Sequence, residues 1–428
     1  MSSVKKPIIF YGWIVLALGF LAMMVAYGLR YNFSVFYDAI LEDFGWARGA
    51  TVAALSINLI IYALSAPISG SLADRFGIRK IVPLGAVLLG LALAACNRVS
   101  AIWQLYLFVG LTAFGSCAVG FVPHTAVVAN WFSRRRGLAL GVLNAGIIAS
   151  ALLAPGVEYL IATLNWRGAF LVFAGVSAVI LAPLAAIFQR QRPEDKGLKA
   201  DGAGEESTLK EQSASYELIV DKEWALQDWT LAKAVKTARF WWLAMLFLLW
   251  GLYAYTFIVH QVPYLTDAGY TRAFAARVVS TFGALGVAGS VCTFISDRIG
   301  REFTFTLASG SALAGVIVIM LIQNTLHPWM PYLYGVLFGF PLGLCSGVAL
   351  ATAADLFQGK HFGTIMGVLV GLLIGGGAIG PWLAGYIFDV TGNYAQAFPL
   401  IYFSVFASAA LIWLAAPRKV RKVRYASR

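Results

Sequence analysis

Long apolar stretches alternate with short charged segments along almost the entire chain. A helix needs roughly 20 consecutive apolar residues to cross the hydrocarbon layer of a membrane, and twelve stretches come near that length. We number them spans 1 to 12: residues 11–36, 50–72, 80–97, 102–132, 137–162, 168–188, 240–262, 274–296, 302–322, 330–357, 362–386 and 395–416. The pattern therefore predicts an all-α integral membrane protein with twelve transmembrane helices.

The composition agrees with this class of protein. Of the 428 residues, 60% are hydrophobic and 12% are charged, whereas about a quarter of the residues of a soluble domain are charged. Secreted, nucleic-acid-binding and disordered proteins are therefore excluded. The net charge of +12 arises mainly from basic residues that follow even-numbered spans or lie near the two termini. By the positive-inside rule, we expect a protein of the inner (plasma) membrane, surrounded by lipid bilayer, with both termini cytoplasmic.

One polar segment divides the chain. Residues 189–239 hold half of all the acidic residues, and we interpret them as a cytoplasmic linker between two six-helix halves, residues 1–188 and 240–428. The end of the linker, residues 224–235, mixes apolar and charged residues and predicts an amphipathic helix along the membrane surface. The alternative is a solvated connector without a function of its own.

The two halves repeat each other. Asp74-Arg75-Phe76-Gly77 follows span 2, and Asp297-Arg298-Ile299-Gly300 follows span 8 at the equivalent place. Spans 1 and 7 also carry polar stripes at the same helical spacing, namely Tyr27, Arg30 and Ser34 in the first and Tyr253, Thr256 and His260 in the second. Such repeats are typical of transporters with a central site between two halves. The sequence thus predicts two pseudo-symmetric halves with equivalent polar faces.

The loop between spans 2 and 3 carries a family signature. The sequence Gly70-x-x-x-Asp74-Arg75-x-Gly77-x-Arg79-Lys80 resembles the signature loop of the major facilitator superfamily. The resemblance implies the major facilitator fold and transport by alternating access. The acidic residue of such a loop can accept hydrogen bonds from arginines and a helix N-terminus, and so form a charge latch. We expect gating roles for this loop and its repeat, at Asp74, Arg75, Arg79, Asp297, Arg298 and Arg301; the alternative is an ordinary basic turn.

Three further stretches resemble the monocarboxylate transporters and the oxalate/formate antiporter group: Tyr11-Gly12-Trp13, residues 131–141 and residues 380–394. The resemblance implies a small organic anion as substrate and a cation on span 1 that binds it. It also implies an Asp and an Arg one turn apart on span 8, but the corresponding positions hold Gly286 and either Gly289 or Ser290. Residues 362–386 contain no Lys or Arg and so lack the lysine associated with oxalate/formate exchange. We therefore do not expect a dicarboxylate, which would need two cations.

Arg30 is the main candidate for substrate binding. It lies about 7 Å from the middle of span 1 towards the outer side, where an ionisable side chain is energetically costly and is a functional candidate by default. A guanidinium can hold a carboxylate with two hydrogen bonds, and Tyr27, Tyr31 and Ser34 can add others. The equivalent stripe, Tyr253, Thr256 and His260, completes the predicted site. The alternative is an arginine that extends to the outer membrane interface.

Proton coupling needs a group that titrates near neutral pH or in an unusual environment. The candidates within the spans are His260, His124 and Glu158. Each of them also has a plain structural interpretation, since a lone histidine in a helix bundle often serves only as a hydrogen-bonding group.

Together these observations predict a monomeric secondary transporter that moves a small organic anion, above all a monocarboxylate, with a proton as coupling ion. The direction of transport and the choice between symport and antiport stay open. No cofactor or metal is expected, because the sequence contains no phosphate-binding loop or metal-ligand motif. One alternative is efflux of a lipophilic compound, which the aromatic, charge-poor second half favours. The alternative from another class is a membrane receptor, or a membrane enzyme that uses His124.

Overall fold

A computed structural model describes residues 10–132, 136–200, 220–357 and 361–421, and these residues form helices and connecting turns. In the first half, span 1 comprises Tyr11–Tyr31 and Phe33–Phe44, span 2 Arg48–Phe76, span 3 Ile78–Cys96, and span 4 Ile102–Val119 and Phe121–Trp131. In the second half, span 7 is Ala238–Asp267, span 8 Arg272–Val291 with two further turns to Ile299, span 9 Arg301–Met320, span 10 Trp329–Phe357, span 11 Phe362–Thr391 and span 12 Ala397–Ala415.

Spans 5 and 6 are joined without a loop. Among the described residues, eleven apolar helical segments are long enough to cross a membrane, and one of them, Leu138–Phe188, has 51 residues. At 1.5 Å per residue this segment is long enough for two crossings. Asn165 divides it, because its backbone is not helical (φ 57°, ψ 172°) and its side chain accepts hydrogen bonds from the backbone N–H groups of Arg167 and Gly168. The described chain therefore makes the twelve predicted crossings.

Spans 1 and 4 are interrupted near the middle of the membrane. In span 1 the break lies at Asn32, whose Nδ2 donates to the Gly28 carbonyl at 2.7 Å and to the Ser150 carbonyl of span 5 at 2.9 Å. In span 4 the break lies at Gly120, with φ −85° and ψ −146°. Within a membrane, non-helical backbone is tolerated only where it is buried in protein or lines a cavity. The two breaks therefore indicate a candidate functional region in the interior of the first half.

The two halves pack against each other along three pairs of helices: span 2 with span 11, span 5 with span 8, and the second part of span 1 with span 7. We call the end of the bundle where span 1 begins and span 12 ends the terminal face, and the other end the opposite face. The Ser56 hydroxyl of span 2 donates to the Ala378 carbonyl of span 11 at 2.6 Å, on the side of the opposite face. Towards the terminal face the halves diverge and enclose a cavity.

The end of the predicted linker is folded onto the second half. Instead of one helix over residues 224–235, the structure has two short helices, Lys222–Leu226 and Leu231–Ala234. The Trp224 indole donates to the Leu356 carbonyl at 2.7 Å, and the buried Trp229 ring meets Phe357 edge-on at 5.3 Å. This part of the linker thus packs on the terminal end of span 10 and is not a solvated connector.

Candidate functional site

A cavity of about 510 Å³ lies between the two halves. It extends from the middle of span 1 to the first residues of span 11, and so reaches the terminal face. Its lining residues are Tyr27, Arg30, Tyr31, Tyr62, Ala63, Ala66, Phe121, Val122, Thr125, Asn144, Ile147 and Ile148 from the first half, and Phe247, Trp250, Ala254, Tyr255, Ile258, Leu342, Ser346, Leu350, Phe362, Gly363, Met366, Gly367, Val370, Gly371, Leu373 and Ile374 from the second. Both halves therefore contribute to one central chamber.

Arg30 is held in this chamber by neutral groups. Its side chain is buried, and its Nε donates to the Asn58 Oδ1 of span 2 at 3.0 Å. Asn58 is itself oriented by its Nδ2, which donates to the Thr112 hydroxyl at 2.8 Å and to the Val109 carbonyl at 2.7 Å. Because the amide nitrogen is occupied in this way, the amide oxygen faces the guanidinium.

The guanidinium also lies over an aromatic ring. Its central carbon is 3.9 Å from the Tyr62 ring centroid and 5.4 Å from that of Tyr27, and the two tyrosine hydroxyls are hydrogen-bonded at 2.7 Å. Such cation–π contacts stabilise a positive charge without neutralising it. Arg30 Nη2 is buried and has no hydrogen-bond partner, and none of the ion pairs among the described residues includes Arg30. The chamber thus contains a fixed, uncompensated positive charge.

Sequence reasoning identified Arg30 and its neighbours Tyr27 and Tyr31, which do line the chamber together, but it missed Asn58 and Tyr62. Both are polar residues in the apolar span 2, and Asn58 is an amide with apolar residues on both sides. A buried amide in a transmembrane helix is costly unless it is hydrogen-bonded. That signal could have found Asn58; nothing in the sequence distinguishes Tyr62 from a packing tyrosine.

The structure does not bring the other predicted binding residues to the chamber. Ser34 is fully buried outside the lining, because the break at Asn32 changes the helical register after Arg30. On span 7, Tyr253 packs edge-on against Phe338 at 6.1 Å, and the Thr256 hydroxyl donates to the Leu252 carbonyl of its own helix. The predicted equivalence of the two stripes is therefore wrong in this structure, since the stripe of span 7 faces the interior of the second half.

His260 belongs to that same inward-facing stripe. Its Nδ1 lies 2.9 Å from the Tyr394 hydroxyl, and its Nε2 lies 2.8 Å from the Pro381 carbonyl. The Arg48 guanidinium donates to the Tyr394 oxygen at 2.8 Å, so the hydroxyl proton of Tyr394 is available for Nδ1 and His260 donates through Nε2. Burial raises the pKa of Tyr394 well above its usual value, so the hydroxyl remains a neutral donor. These partners together hold His260 as the neutral Nε2–H tautomer.

The opposite face is closed by ion pairs between the halves. Arg48, at the start of span 2, contacts Asp267 of span 7 at 2.7 Å. The backbone N–H groups of Arg48 and Gly49 both donate to the carboxylate of Asp389 on span 11, each at 2.7 Å. One arginine and one helix start of the first half are thus bound to two carboxylates of the second half.

A second cluster of charged residues that joins the halves at this face contains one arginine and three acidic residues. Arg272, at the start of span 8, contacts Asp38 at 2.9 Å, forms an ion pair with Glu42, and lies 3.9 Å from the Glu158 carboxylate. Asp38 also accepts a hydrogen bond from the Thr266 hydroxyl of span 7 at 2.9 Å. Glu158 is mostly buried, and its Oε2 has no hydrogen-bond partner in the described part of the chain. Glu158, one of the three predicted proton-coupling candidates, therefore lies among the ion pairs that close the opposite face and not in the chamber.

His124 lies beside the break in span 4. Its Nδ1 is 3.1 Å from the Gly120 carbonyl, and its buried Nε2 has no partner among the described residues. The neighbouring Thr125 hydroxyl donates to the Val122 carbonyl and does not contact the histidine. The partner described for His124 is thus a backbone carbonyl, and no polar side chain of the described residues is hydrogen-bonded to its ring.

The predicted gating loops lie at the terminal face. Asp297 pairs with Arg301 at 2.6 Å, and Arg301 also contacts Asp355 of span 10 at 3.0 Å. Arg79 donates to the Ala186 carbonyl of span 6 at 2.9 Å. Arg75 and Arg298 are exposed, and the side chain of Asp74 lies outside the described residues. The contacts described for these loops stay within one half, which fits a terminal face at which the halves have separated.

Neighbouring helices approach span 8 closely at Gly286 and Gly289, two of the positions where the sequence lacks the acid and the arginine. A Cβ atom at Gly286 would lie 2.7 Å from Ile148 Cγ2, and one at Gly289 would overlap the Phe340 carbonyl. The Ser290 hydroxyl points to the Gly343 carbonyl of span 10. Span 5 at Gly286 and span 10 at Gly289 therefore approach span 8 too closely for a larger side chain at these two glycines.

Two helical halves around a chamber that is reached from one face and closed by ion pairs at the other are the arrangement expected of a membrane transporter. The comparisons agree: residues 19–369 match the family model of the Major Facilitator Superfamily, and the chain belongs to that family. The predicted fold and family are thus confirmed.

Relatives of known type match most of the chain. It is 28% identical to human monocarboxylate transporter 11, over 95% of this chain and 83% of that protein, and 25% identical to monocarboxylate transporter 13 of Bos taurus, over 91% and 85%. Among solved structures, a bacterial homologue of the human lysosomal transporter Spinster, in an inward-facing and unoccupied conformation, matches with a TM-score of 0.71 and 18% identity, covering 99% of this chain and all of that one. This protein is a membrane transporter of the Major Facilitator Superfamily, and most of its chain is similar to monocarboxylate transporters.

Proposed function

We propose that this protein moves a monovalent organic anion, a monocarboxylate, across the inner (plasma) membrane by alternating access. The observation that carries the proposal is the charge of the chamber. Among the described residues that line it, Arg30 is the only charged one, and its Nη2 is unpaired. A buried charge is stabilised best by one partner of opposite sign with good hydrogen-bond geometry. One carboxylate of the substrate therefore compensates the charge of Arg30, whereas a second carboxylate would be left unpaired.

The state of the gates supports the proposed mechanism. With both termini in the cytoplasm, as the positive-inside rule predicts, the opposite face is external and the structure is inward-open. The inter-half ion pairs of Arg48 and Arg272 then form the external gate. The external gate must open and the terminal face must close to expose Arg30 to the outside.

Arg30→Ala tests the proposal. Removing one partner of a buried charged pair costs about 2 to 4 kcal/mol of binding, so the affinity for a carboxylate substrate should fall roughly thirtyfold to a thousandfold. Arg30→Lys should restore only part of it, because the planar fork is lost. Arg277→Ala, which removes an exposed arginine of span 8, is the matched control. Calorimetry on the purified proteins measures all four affinities, and an unchanged affinity in Arg30→Ala would contradict the proposal.

The same calorimetry also tests the main alternative, which is efflux of a lipophilic compound. The apolar, aromatic lining of the chamber also favours a neutral lipophilic compound. In that case, charge-free analogues of a carboxylate should bind as well as the acid itself. Arg30→Ala should then lower the stability of the protein without altering its affinity for those analogues.

We further propose that the proton is carried by Glu158, in preference to His260 and His124. The charged groups that face Glu158 are Arg272, Asp38 and Glu42, so three carboxylates surround one guanidinium. The Glu158 carboxylate lies 3.9 Å from Arg272, whereas that of Asp38 contacts it at 2.9 Å. A proton on Glu158 therefore reduces the repulsion among the three acids with little loss of attraction to Arg272, and favours the closed external gate. His260 is less suited to the role, because its hydrogen-bond partners already fix its neutral form.

Uptake into proteoliposomes at several external pH values tests this coupling. We expect uptake to rise as external pH falls in the wild type and to lose most of that dependence in Glu158→Gln. His260→Gln should retain it. A dependence on sodium without a response to pH would contradict proton coupling, and an unchanged pH profile in Glu158→Gln would exclude Glu158 as the carrier.

A further inference from the structure

The chamber is much larger and more apolar than a short-chain acid requires. Its volume of about 510 Å³ falls in the range of roughly 300–1,000 Å³ that is typical of sites for drug-sized ligands. A three-carbon acid would leave most of it filled with water. Beyond the tyrosines around Arg30, the lining carries large aromatic rings, including Phe121, Phe247, Trp250 and Phe362. Such rings stabilise a ligand that brings apolar surface of its own.

One of these rings also has an unused hydrogen-bond donor. Trp250 lines the chamber, and its Nε1 is buried without a partner in the described part of the chain. Buried tryptophan N–H groups usually find an acceptor, and leaving one unpaired costs free energy. Two other tryptophan indoles of the second half donate to protein groups: Trp241 to the Val235 carbonyl and Trp413 to the Thr306 hydroxyl. Within the described part of the chain the Trp250 donor thus stays unpaired, and an acceptor that reaches it from the chamber side would satisfy it.

Arg30 Nη2 and Trp250 Nε1 are the buried donors without a partner among the described lining residues, and they lie at different depths. Counted along spans 1 and 7 at 1.5 Å per residue, Arg30 is about 5 to 10 Å farther from the terminal face than Trp250. They also belong to different halves. A ligand that satisfies both must therefore carry its second acceptor well away from its carboxylate, across an apolar body.

We propose that the substrate is an amphiphilic monocarboxylate with a bulky, mainly aromatic or alicyclic body and a hydrogen-bond acceptor at the end remote from the carboxylate, which Trp250 Nε1 recognises. The inference rests on the proposed function, because it places the carboxylate at Arg30. It assigns Trp250 as a specificity-determining residue, and it accounts for one cation among described lining residues that are mainly apolar and aromatic.

Binding of four acids and one amide to the purified protein tests the proposal by calorimetry. Phenylpropionate should bind at least roughly tenfold more tightly than propionate, because its ring buries apolar surface. para-Hydroxyphenylpropionate should bind about threefold to tenfold more tightly than para-methylphenylpropionate, which has nearly the same shape but no acceptor. Trp250→Phe should abolish this second preference and retain the first. Trp242→Phe, an exposed tryptophan of the same span, should change neither.

The outcomes distinguish this proposal from the proposed function. If phenylpropionamide binds as tightly as phenylpropionate, the carboxylate is not recognised and the proposed function fails. If propionate binds as tightly as phenylpropionate while Arg30→Ala weakens both, the proposed function stands and the bulky substrate is wrong. If the preference for the para-hydroxyl persists in Trp250→Phe, Trp250 does not donate a hydrogen bond to the remote acceptor of the ligand, and that part of the proposal is wrong.

Discussion

Asp38 joins the two halves at the opposite face, and Asp38→Asn removes its charge with almost no change in size. The carboxylate contacts Arg272 at 2.9 Å and accepts a hydrogen bond from Thr266 at 2.9 Å, both in the second half. These contacts exist only while the opposite face is closed. Their loss should therefore destabilise the closed state relative to states in which this face is open.

The magnitude follows from burial and from the partners that remain. Breaking a fully buried ion pair costs about 3 to 5 kcal/mol, but the side chains of Asp38 and Arg272 are 13% and 19% exposed, and Arg272 keeps Glu42 and Glu158 as neighbours. We therefore expect a reduced effect of about 1 to 2 kcal/mol, between exposed and fully buried pairs. The population ratio of open to closed states should rise about fivefold to thirtyfold.

The assay is a measurement of the distance between two spin labels by electron paramagnetic resonance. Arg98 and Gln323 are exposed, and they lie in loops of the opposite face in the first and second half. With cysteines at these two positions and the native cysteines replaced, Asp38→Asn should enlarge the population at longer distances. Asp43→Asn is the matched control, because Asp43 pairs with Arg167 within the first half at 2.7 Å. Equal distance distributions for Asp38→Asn and the parent protein, or the same shift in Asp43→Asn, would refute the reasoning.

Two further predictions concern the loops and the helix packing. Asp74→Asn should slow transport much more than it weakens substrate binding, because the predicted latch lies far from Arg30; equal transport rates of variant and wild type would count against the latch. Gly343→Ala should lower the thermal stability of the purified protein, since the added Cβ would overlap the Gly286 backbone, by an amount typical of overpacking, about 1 to 3 kcal/mol. Gly310→Ala, where the added Cβ meets nothing within 4 Å, should leave the melting temperature nearly unchanged, and an equal effect of both changes would show that the contact is not tight.

The membrane spans could be predicted from the sequence because the bilayer imposes a local rule. Every helix in lipid needs about 20 apolar residues and satisfies its own backbone, so composition alone reveals it. The main deviation is span 1, which extends to Phe44 and not to residue 36. Its last turns contain Asp38, Glu42 and Asp43, which are paired with arginines from elsewhere in the chain. Hydropathy could not foresee partners so distant in the sequence.

Arg30 could also be predicted, because a charge in an apolar helix is unusual wherever the helix packs. What holds it could not be predicted: Asn58, Tyr62 and Thr112 come from two other spans, and they surround the guanidinium only after folding. The same is true of Glu158, a candidate proton carrier whose position at the closed opposite face follows from its proximity to Arg272.

The rotation of span 7 about its axis was decided only by tertiary structure. The sequence shows a polar stripe at Tyr253, Thr256 and His260, and the pattern of span 1 suggested that it faces the substrate. In the folded protein the stripe faces spans 10, 11 and 12, and Trp250 and Tyr255 line the chamber instead. In a helix that is apolar nearly all round, the period of polar residues marks a face but does not say which neighbour it meets. Packing between helices makes that choice, because hydrogen-bond partners and small residues on the neighbouring spans determine which side can approach closely.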